Sequence, residues 1–309
     1  MSRDSTRAGA GHDARASCYG PGMTAAALPA PVAAALAAPT DGRRRTIEAA
    51  GIPWSMLEWG EPTARPLLLI HGVTSSAAIW WRLGPALAAS GRRVIAVDLP
   101  GHGETGHWQG HHRFRDNAAD IVAFVRAAGI ERDDLQVIGH SWGAVSAAAL
   151  PSQGLRPATI VLLDPPSLSH AAMAAQVEEP TERPYVDLDA AIAAVRVTAP
   201  TWSEGDIRAK AEALTRLDAV AARSVLLDNG DWDGGLADLQ HPAAAGLDVW
   251  IVRGDPAAGG YLPDAVLPAF ERVIGSGRIA TIAGAPHSPQ RTHPTETTAA
   301  LLDALDGSA

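Results

Sequence analysis

The chain contains a single cysteine, Cys18, and few aromatic residues other than tryptophan. One cysteine cannot form an internal disulfide framework or a cysteine-based zinc site. There is no run of about 18 apolar residues, so we do not expect a membrane-spanning helix. Basic residues are also in deficit, because 25 lysines and arginines stand against 34 aspartates and glutamates, a net charge of −9. This balance argues against nucleic acid or an anionic membrane surface as the main partner, since both attract clustered positive charge.

The first part of the chain differs in composition from the rest. The composition of the rest is typical of a large globular core. Residues 1–42 are rich in glycine, serine, alanine and proline and carry few large apolar groups, which predicts a disordered N-terminal arm. A signal peptide is the alternative, because residues 37–39 (AAP) resemble a cleavage region, but prolines at 29, 31 and 39 interrupt the apolar stretch. We therefore expect a cytoplasmic protein, with secretion as the alternative.

From residue 43 onward, short apolar runs alternate with amphipathic segments. The runs PLLLI (66–70), RVIAV (93–97) and TIVLL (159–163) are typical of strands that are buried on both faces. Segments of helical periodicity, such as residues 114–128, lie between them and end at glycine. This alternation predicts an α/β fold with a mostly parallel central sheet covered by helices on both faces.

The alternation stops at Asp164 and resumes at Leu247. Helical patterns fill most of the stretch between them, and no strong strand pattern is present there. We therefore predict a core formed by residues 43–165 and 243–309, with a helical cap, residues 166–242, inserted over one edge of the sheet.

The segment Gly139-His140-Ser141-Trp142-Gly143 matches G-x-S-x-G and lies between a predicted strand and a predicted helix. A serine on so sharp a turn holds its hydroxyl clear of the sheet, and the flanking glycines remove β-carbons that would clash. The N-terminus of the following helix favours developing negative charge. The pattern therefore predicts Ser141 as a nucleophile, and a plain helix cap is the alternative.

A serine nucleophile needs a neighbouring base and an acid that orients it. His287 follows the predicted strand RIATIA (278–283) in a loop near the C-terminus, where the base is expected if the order is serine, acid, histidine. His293 is the alternative base, but it precedes Pro294 at a predicted helix start. We predict Asp255 as the acid because it follows a buried strand, and Asp164 remains the alternative because it does so as well.

Acyl transfer also requires backbone N–H groups that bind the developing oxyanion. We expect these from Trp142, directly after the serine, and from Val73, in the loop after the strand PLLLI. The nine tryptophans are unusual beside three phenylalanines. Four of them could line an apolar cleft between the cap and the sheet: Trp80, Trp81, Trp202 and Trp232.

Several motifs together resemble the alpha/beta-hydrolase superfamily. They are the loop His71-Gly72, the segment Asp98-Leu99-Pro100-Gly101-His102-Gly103, the elbow around Ser141, Arg253-Gly254-Asp255 and the late His287. The resemblance covers residues 43–306, and the short His-Gly loop is similar to that of esterases, lactonases and carbon–carbon-bond hydrolases of this superfamily. Its haloalkane dehalogenases and epoxide hydrolases use aspartate at the elbow, where this chain has serine.

The resemblance implies an enzyme that needs no cofactor, and we expect no metal site. With the residues above it leads us to expect a serine hydrolase that cleaves a small to medium, largely apolar ester or lactone through an acyl-enzyme. A carbon–carbon-bond hydrolase or an amidase of the same fold is the alternative enzyme. A receptor-like member that binds a ligand with little turnover is the alternative outside enzymes.

Overall fold

The computed structural model describes residues 27–107, 112–178 and 182–307 of the chain. In these residues eight strands form one sheet and two more form a small antiparallel pair. The strands are β1 (Arg43–Ala49), β2 (Ile52–Trp59), β3 (Arg65–Ile70), β4 (Arg92–Val97), β5 (Gln136–His140), β6 (Thr159–Leu163), β7 (Ser167–Leu168), β8 (Trp232–Asp233), β9 (Asp248–Gly254) and β10 (Ile279–Ile282).

Twelve α-helices accompany these strands in the described residues. They are α1 (Ala30–Ala37), α2 (Leu83–Ala88), α3 (Phe114–Ala127), α4 (Trp142–Ala149), α5 (His170–Glu178), α6 (Leu188–Thr198), α7 (Glu204–Thr215), α8 (Ala219–Leu227), α9 (Leu236–Leu239), α10 (Leu267–Ile274), α11 (Pro289–Thr292) and α12 (Pro294–Asp306). Short 3-10 helices occupy Ala77–Trp80, Leu150–Gln153, Pro242–Ala244, Pro256–Ala258 and Asp264–Val266. None of the helices in the described ranges has both the length and the hydropathy of a membrane span.

The strand order of the large sheet is β1-β2-β4-β3-β5-β6-β9-β10. β2 runs antiparallel to both of its neighbours, whereas every pair from β4 to β10 is parallel. Parallel strands end at the same edge of a sheet, so the loops that follow β3, β5, β6, β9 and β10 lie close together. In open α/β sheets this edge is where ligands bind.

Both faces of the sheet are buried. On β3, Leu68 and Ile70 belong to one apolar cluster and Leu67 and Leu69 to the other, and none of the four has exposed surface. Helices α3, α4 and α10 supply the first cluster, and α2 and α12 supply the second. The predicted fold class, a mostly parallel sheet covered by helices on both faces, is confirmed.

The chain between β6 and β9 adds helices α5 to α9 and the small strand pair. β7 and β8 pair with Leu168 opposite Trp232, which brings the two ends of the insertion together. Helices α6, α7 and α8 share an apolar cluster of their own, to which Val195, Ile207 and Leu214 belong. The sequence pattern predicts these three helices but neither α5 nor the β7–β8 pair.

The prediction of a disordered arm through residue 42 is wrong for the part of it that the structure describes. Helix α1 packs against α2 and α12, with Val32 and Leu36 buried. These residues are four apart and so share one helix face, and the alanines around them have the highest helix propensity. Pro31 lies in the first turn, where its missing N–H is tolerated. Residues 1–26, including Cys18, lie outside the described residues.

Candidate active site

Ser141 occupies a sharp turn between β5 and α4. Its backbone has φ 56° and ψ −122°, a conformation that costs a non-glycine residue roughly 1–3 kcal/mol. The turn is fixed by the Ser141 amide, which donates to the carbonyl of Leu163 on the neighbouring strand β6 at 3.0 Å. The turn therefore presents the hydroxyl at the carboxyl edge of the sheet.

The glycines of the motif permit the close contacts of this turn. A β-carbon at Gly139 would lie 2.2 Å from the carbonyl oxygen of Gly143, and one at Gly143 would lie 2.6 Å from the carbonyl oxygen of Ile70. A β-carbon at Gly72 would lie 2.8 Å from the β-carbon of Ser141. Backbone atoms cannot move aside as a flexible side chain can, so positions 139 and 143 require glycine. At Gly72 the obstacle is the β-carbon of Ser141, whose position is set by its own backbone.

His287 lies in the loop between β10 and α11, with its Nε2 2.8 Å from the hydroxyl oxygen of Ser141. The ring of Tyr261 stacks on the imidazole, with centroids 4.0 Å apart. His140 Nε2 lies 2.9 Å from the backbone carbonyl of His287 and donates to it. His293, the alternative base, lies at the start of α12 and instead contacts Thr292, the last residue of α11.

The carboxylate that contacts His287 belongs to Asp164, not to Asp255. Asp164 Oδ2 lies 2.6 Å from His287 Nδ1, and the side chain is fully buried. The same carboxylate accepts hydrogen bonds from the amides of Gly254 at 2.9 Å and Tyr261 at 3.0 Å. Because a carboxylate accepts from Nδ1–H, Nε2 is left to accept the proton of the Ser141 hydroxyl.

The predicted contact of Asp255 with His287 is wrong because the local turn occupies the Asp255 carboxylate. Oδ1 accepts from the amide of Ala257, capping a 3-10 helix at 2.9 Å, and Oδ2 accepts from the amide of Gly284 at 3.0 Å. The hydrogen bond from Gly284, and after it the one from Ala257, holds the pKa of Asp255 below its ordinary value. Asp255 therefore anchors the start of the loop that carries His287.

The loop after β3 runs beside Ser141 and is ordered by His71. The buried ring of His71 accepts from the amide of Leu99 through Nε2 at 3.0 Å, so Nδ1 carries the proton and donates to the carbonyl of Gly72 at 2.8 Å. In a trans peptide the carbonyl and the following N–H point in opposite directions. His71 therefore fixes the orientation of the Val73 amide. Burial lowers the pKa of His71 to about 4, which keeps the ring neutral.

Ser141 and His287 open onto a cavity of about 340 Å³. Most of its wall is apolar and comes from the chain between β6 and β9: Pro166, Leu168, Met173, Leu226 and Trp232. Val73, Thr74, Gln176, Glu182 and Tyr261 complete the lining. The cavity is thus a mainly apolar chamber with the serine and histidine on one side.

Of the four tryptophans predicted to line this cleft, only Trp232 does so. Trp80 is fully buried in the core beneath the sheet edge. Trp81 donates from Nε1 to Asp206 at 3.0 Å and faces α7. Trp202 lies under the guanidinium of Arg291, 4.2 Å from the ring centroid. The prediction is wrong for these three because Trp80 packs in the core, Trp81 packs against α7, and Trp202 lines a separate cavity with Glu182 and Lys210.

An ion pair between a buried lysine and a partly exposed glutamate adjoins the cavity and is not predicted from the sequence. Lys210, on α7, is 4% exposed and pairs with Glu182. Burial lowers the pKa of Lys210 to about 8, with Glu182 opposing the shift and Arg291 adding to it. Burial would raise the pKa of Glu182, but the attraction of Lys210 leaves it below its ordinary value. At neutral pH both groups are therefore charged.

One sequence signal for this ion pair does exist. Lys210 is spaced with Ile207 and Leu214 at i, i+3 and i+7, so the lysine lies on the apolar face of its helix. A charge on that face needs a buried partner. Tyr261, by contrast, follows a glycine-rich turn, and no local pattern marks its ring as the neighbour of His287.

The parallel sheet, the strained serine turn and the serine–histidine–aspartate contacts define the architecture of a hydrolase of α/β fold. The sequence profile of the alpha/beta hydrolase family matches residues 67–301, and the chain belongs to this family.

Three known proteins show what this chain is similar to. Epoxide hydrolase A of Mycobacterium tuberculosis is 32% identical over 139 residues, which are 44% of this chain and 42% of that protein, so the match spans less than half of its length. Lipase LipV of the same organism is 27% identical over 257 residues, 77% of this chain and 92% of the lipase. The solved structure of E-2-(acetamidomethylene)succinate hydrolase superposes with a TM-score of 0.72 at 21% identity, covering 86% of this chain and 100% of that one, and shows a shared fold.

Proposed function

We propose that this protein is a serine hydrolase that cleaves a carboxylic ester or lactone through an acyl-enzyme. The observation that carries the proposal is the unbroken line of hydrogen bonds from the Ser141 hydroxyl through His287 to Asp164, 2.8 and 2.6 Å long. Each member has the donor or acceptor role that proton transfer requires.

In the proposed reaction the Ser141 oxygen attacks the substrate carbonyl carbon while His287 Nε2 takes the hydroxyl proton. The amides of Val73 and Trp142 stabilise the tetrahedral oxyanion. Trp142 is the first residue of α4, so its amide has no partner within that helix. His287 then gives its proton to the leaving oxygen, the carbon–oxygen bond breaks, and the Ser141 ester remains. Water, activated by His287, hydrolyses this ester and restores the serine.

The cavity supports a small to medium, largely apolar substrate. Its volume is about 340 Å³, near the lower end of the usual range for ligand sites. Leu168, Met173, Leu226 and Trp232 give the apolar surface that an acyl or alkyl chain can bury. The likeness to a protein named as a lipase agrees with such a substrate.

Covalent labelling tests the nucleophile. A fluorophosphonate probe should modify the wild-type protein, and the label should be absent in Ser141→Ala and strongly reduced in His287→Ala. Ser141→Ala should keep the wild-type unfolding midpoint in urea. His287→Ala takes one partner from the buried Asp164 carboxylate, so its midpoint should fall, and a cooperative urea transition shows that this variant is folded. A folded wild-type protein that is not labelled would refute the serine hydrolase.

A substrate panel separates the bond types. We expect turnover of p-nitrophenyl acetate and butyrate and of simple lactones, with lower rates for aryl amides, because an amide is a poorer acyl donor. Amides cleaved as fast as esters would favour the amidase alternative. Tight binding of an apolar ligand with no turnover of any panel member would favour the receptor-like alternative.

A further inference from the structure

An ammonium group from the inserted helices is bound to the loop that carries Val73. Lys210 Nζ lies 2.9 Å from the backbone carbonyl of Thr74 and 2.8 Å from its hydroxyl oxygen. Its third hydrogen-bond acceptor is the carboxylate of Glu182. An ammonium has three N–H bonds, so these three acceptors satisfy the group completely.

The residue that Lys210 binds is in an unusual conformation. Thr74 has φ 59°, in the left-handed region that a β-branched residue rarely adopts. Such a conformation costs on the order of 1–3 kcal/mol and persists only where the surroundings enforce it. The Thr74 hydroxyl also contacts the Glu182 carboxylate. Lys210 and Glu182 together therefore hold both the backbone and the side chain of Thr74.

The loop is thus held from two sides. His71 binds the Gly72 carbonyl from the core, on the amino side of Val73, and Lys210 binds Thr74 from α7, on its carboxyl side. With both flanking residues fixed, the Val73 peptide has little freedom to rotate. Helix α7 must be in place for the second of these contacts to form.

Stability alone does not require an ion pair at this position. Removing the Lys210 ammonium from water costs several kcal/mol, and an apolar residue of similar volume often serves equally well or better. Its partner Glu182 faces the cavity and keeps 39% of its side-chain surface exposed. A further cation, Arg291, is buried close to the pair and adds to this cost. Burying Lys210 costs stability, and the group that it binds is the strained residue Thr74. This combination indicates a role for Lys210 at the loop that contains Thr74.

We propose that Lys210 is a positioning residue that, by binding Thr74, holds the Val73 amide in the orientation that stabilises the oxyanion. The inference rests on the proposed function, because Val73 acts as a donor only in an acyl-transfer reaction. Full activity then requires that α7 pack against the loop, because only then can Lys210 bind Thr74. Lys210 contacts no reacting atom itself.

The test compares Lys210→Met with Arg208→Met. Both substitutions put the same side chain on α7, but Arg208 is exposed and, within the described part of the chain, its ion pair is with Glu212 on its own helix. With p-nitrophenyl acetate, we expect kcat of Lys210→Met to fall on the order of 10- to 100-fold, part of the loss seen when an oxyanion donor is removed. KM should change less than about 3-fold, because ground-state binding does not depend on the oxyanion donors. Arg208→Met should keep wild-type values.

A second measurement separates oxyanion binding from general damage. An aryl trifluoromethyl ketone forms a hemiketal oxyanion with a nucleophilic serine and so mimics the tetrahedral intermediate. Its affinity for Lys210→Met should fall by the same factor as kcat/KM. If Lys210→Met unfolds because Glu182 is left unpaired, the neutral double variant Lys210→Met with Glu182→Gln replaces it, and the same losses are expected.

The outcomes are distinct. An active wild-type protein whose folded Lys210 variants keep wild-type kcat and ketone affinity would overturn the inference about Lys210 alone. A higher KM with an unchanged kcat would also overturn it, because it would show that Lys210 acts in substrate binding. A wild-type protein that neither hydrolyses the ester nor reacts with the fluorophosphonate would refute the proposed function instead.

Discussion

Replacing Asp164 by asparagine should nearly abolish turnover, whereas the same change at Asp255 should leave it intact. The Asp164 carboxylate accepts three hydrogen bonds: one oxygen binds the Gly254 amide, and the other binds the Tyr261 amide and His287 Nδ1. An asparagine has only one oxygen, and it can occupy either position.

Either orientation of the new side chain in Asp164→Asn disturbs the site. If its NH₂ group faces His287, Nδ1 must become the acceptor, and the proton moves to Nε2, where it blocks transfer from Ser141. If the NH₂ group faces Gly254, a buried amide loses its acceptor, which costs about 1–3 kcal/mol of unfolding free energy, and the neutral side chain no longer stabilises the imidazolium that forms on His287. Loss of the correct tautomer lowers kcat on the order of 10³- to 10⁴-fold in a serine triad, which corresponds to about 4–5 kcal/mol in the barrier.

Asp255→Asn is the matched control. Its carboxylate is partly exposed and accepts, among the residues that the structure describes, from the amides of Ala257 and Gly284, so we expect kcat within about threefold of wild type, or roughly 0.6 kcal/mol. Steady-state hydrolysis of p-nitrophenyl acetate at pH 7 measures the effect, with urea unfolding of both variants to show that each is folded. Near-normal turnover in Asp164→Asn, or a comparable loss in Asp255→Asn, would refute this assignment of the acid.

Three further outcomes are expected. Gly143→Ala puts a β-carbon 2.6 Å from the Ile70 carbonyl oxygen, so urea unfolding should show a loss of about 1–3 kcal/mol from overpacking; an unchanged midpoint would contradict the close contact. Trp232→Leu enlarges the cavity and should raise kcat/KM for p-nitrophenyl octanoate relative to acetate by about tenfold, and an unchanged ratio would show that the acyl chain lies elsewhere. Burial lowers the pKa of His71 from 6.5 to about 4, against the hydrogen bond to Gly72, so the unfolded chain takes up this proton first as the pH falls. The unfolding free energy should therefore drop by about 3 kcal/mol between pH 6.5 and pH 4 from this residue, and a His71→Asn variant should show a smaller drop in urea titrations at the two pH values.

Local patterns predicted the parts of the molecule that short segments determine. An apolar strand followed by G-x-S-x-G and a helix describes the turn at Ser141 almost completely, because the contacts that fix it come from Gly139 and Gly143 and from adjacent strands. The pattern also predicts a histidine after the last strand, and the structure brings His287 within 2.8 Å of the serine. Helix α1 was within reach of the same reasoning, because the four-residue spacing of Val32 and Leu36 outweighs the prolines that flank them.

Contacts between distant segments were beyond those patterns. A tryptophan in the sequence does not show whether its ring packs in the core or lines the cavity. Trp80, in the core, and Trp232, in the cavity wall, therefore look alike in sequence. Lys210 and Thr74 are 136 residues apart, and only the packing of α7 on the sheet edge brings them together. The spacing of Lys210 shows that it is buried, but not what it binds.

The choice between Asp164 and Asp255 shows what kind of information was missing. Both follow buried parallel strands and reach the same edge of the sheet, so strand order and hydrophobic pattern favour neither. The difference lies in the turn that comes next. After Asp255 the chain enters a 3-10 helix that begins at Pro256, and the amide of its second residue, Ala257, draws the carboxylate back onto its own segment. After Asp164, with φ 44°, two prolines follow, and a proline nitrogen has no hydrogen to donate. The carboxylate is thus not drawn to the amides directly after it, and it turns across the sheet to Gly254, Tyr261 and His287. Where two acidic residues end neighbouring strands, the one whose own turn has no N–H to offer is the better candidate for a long-range partner.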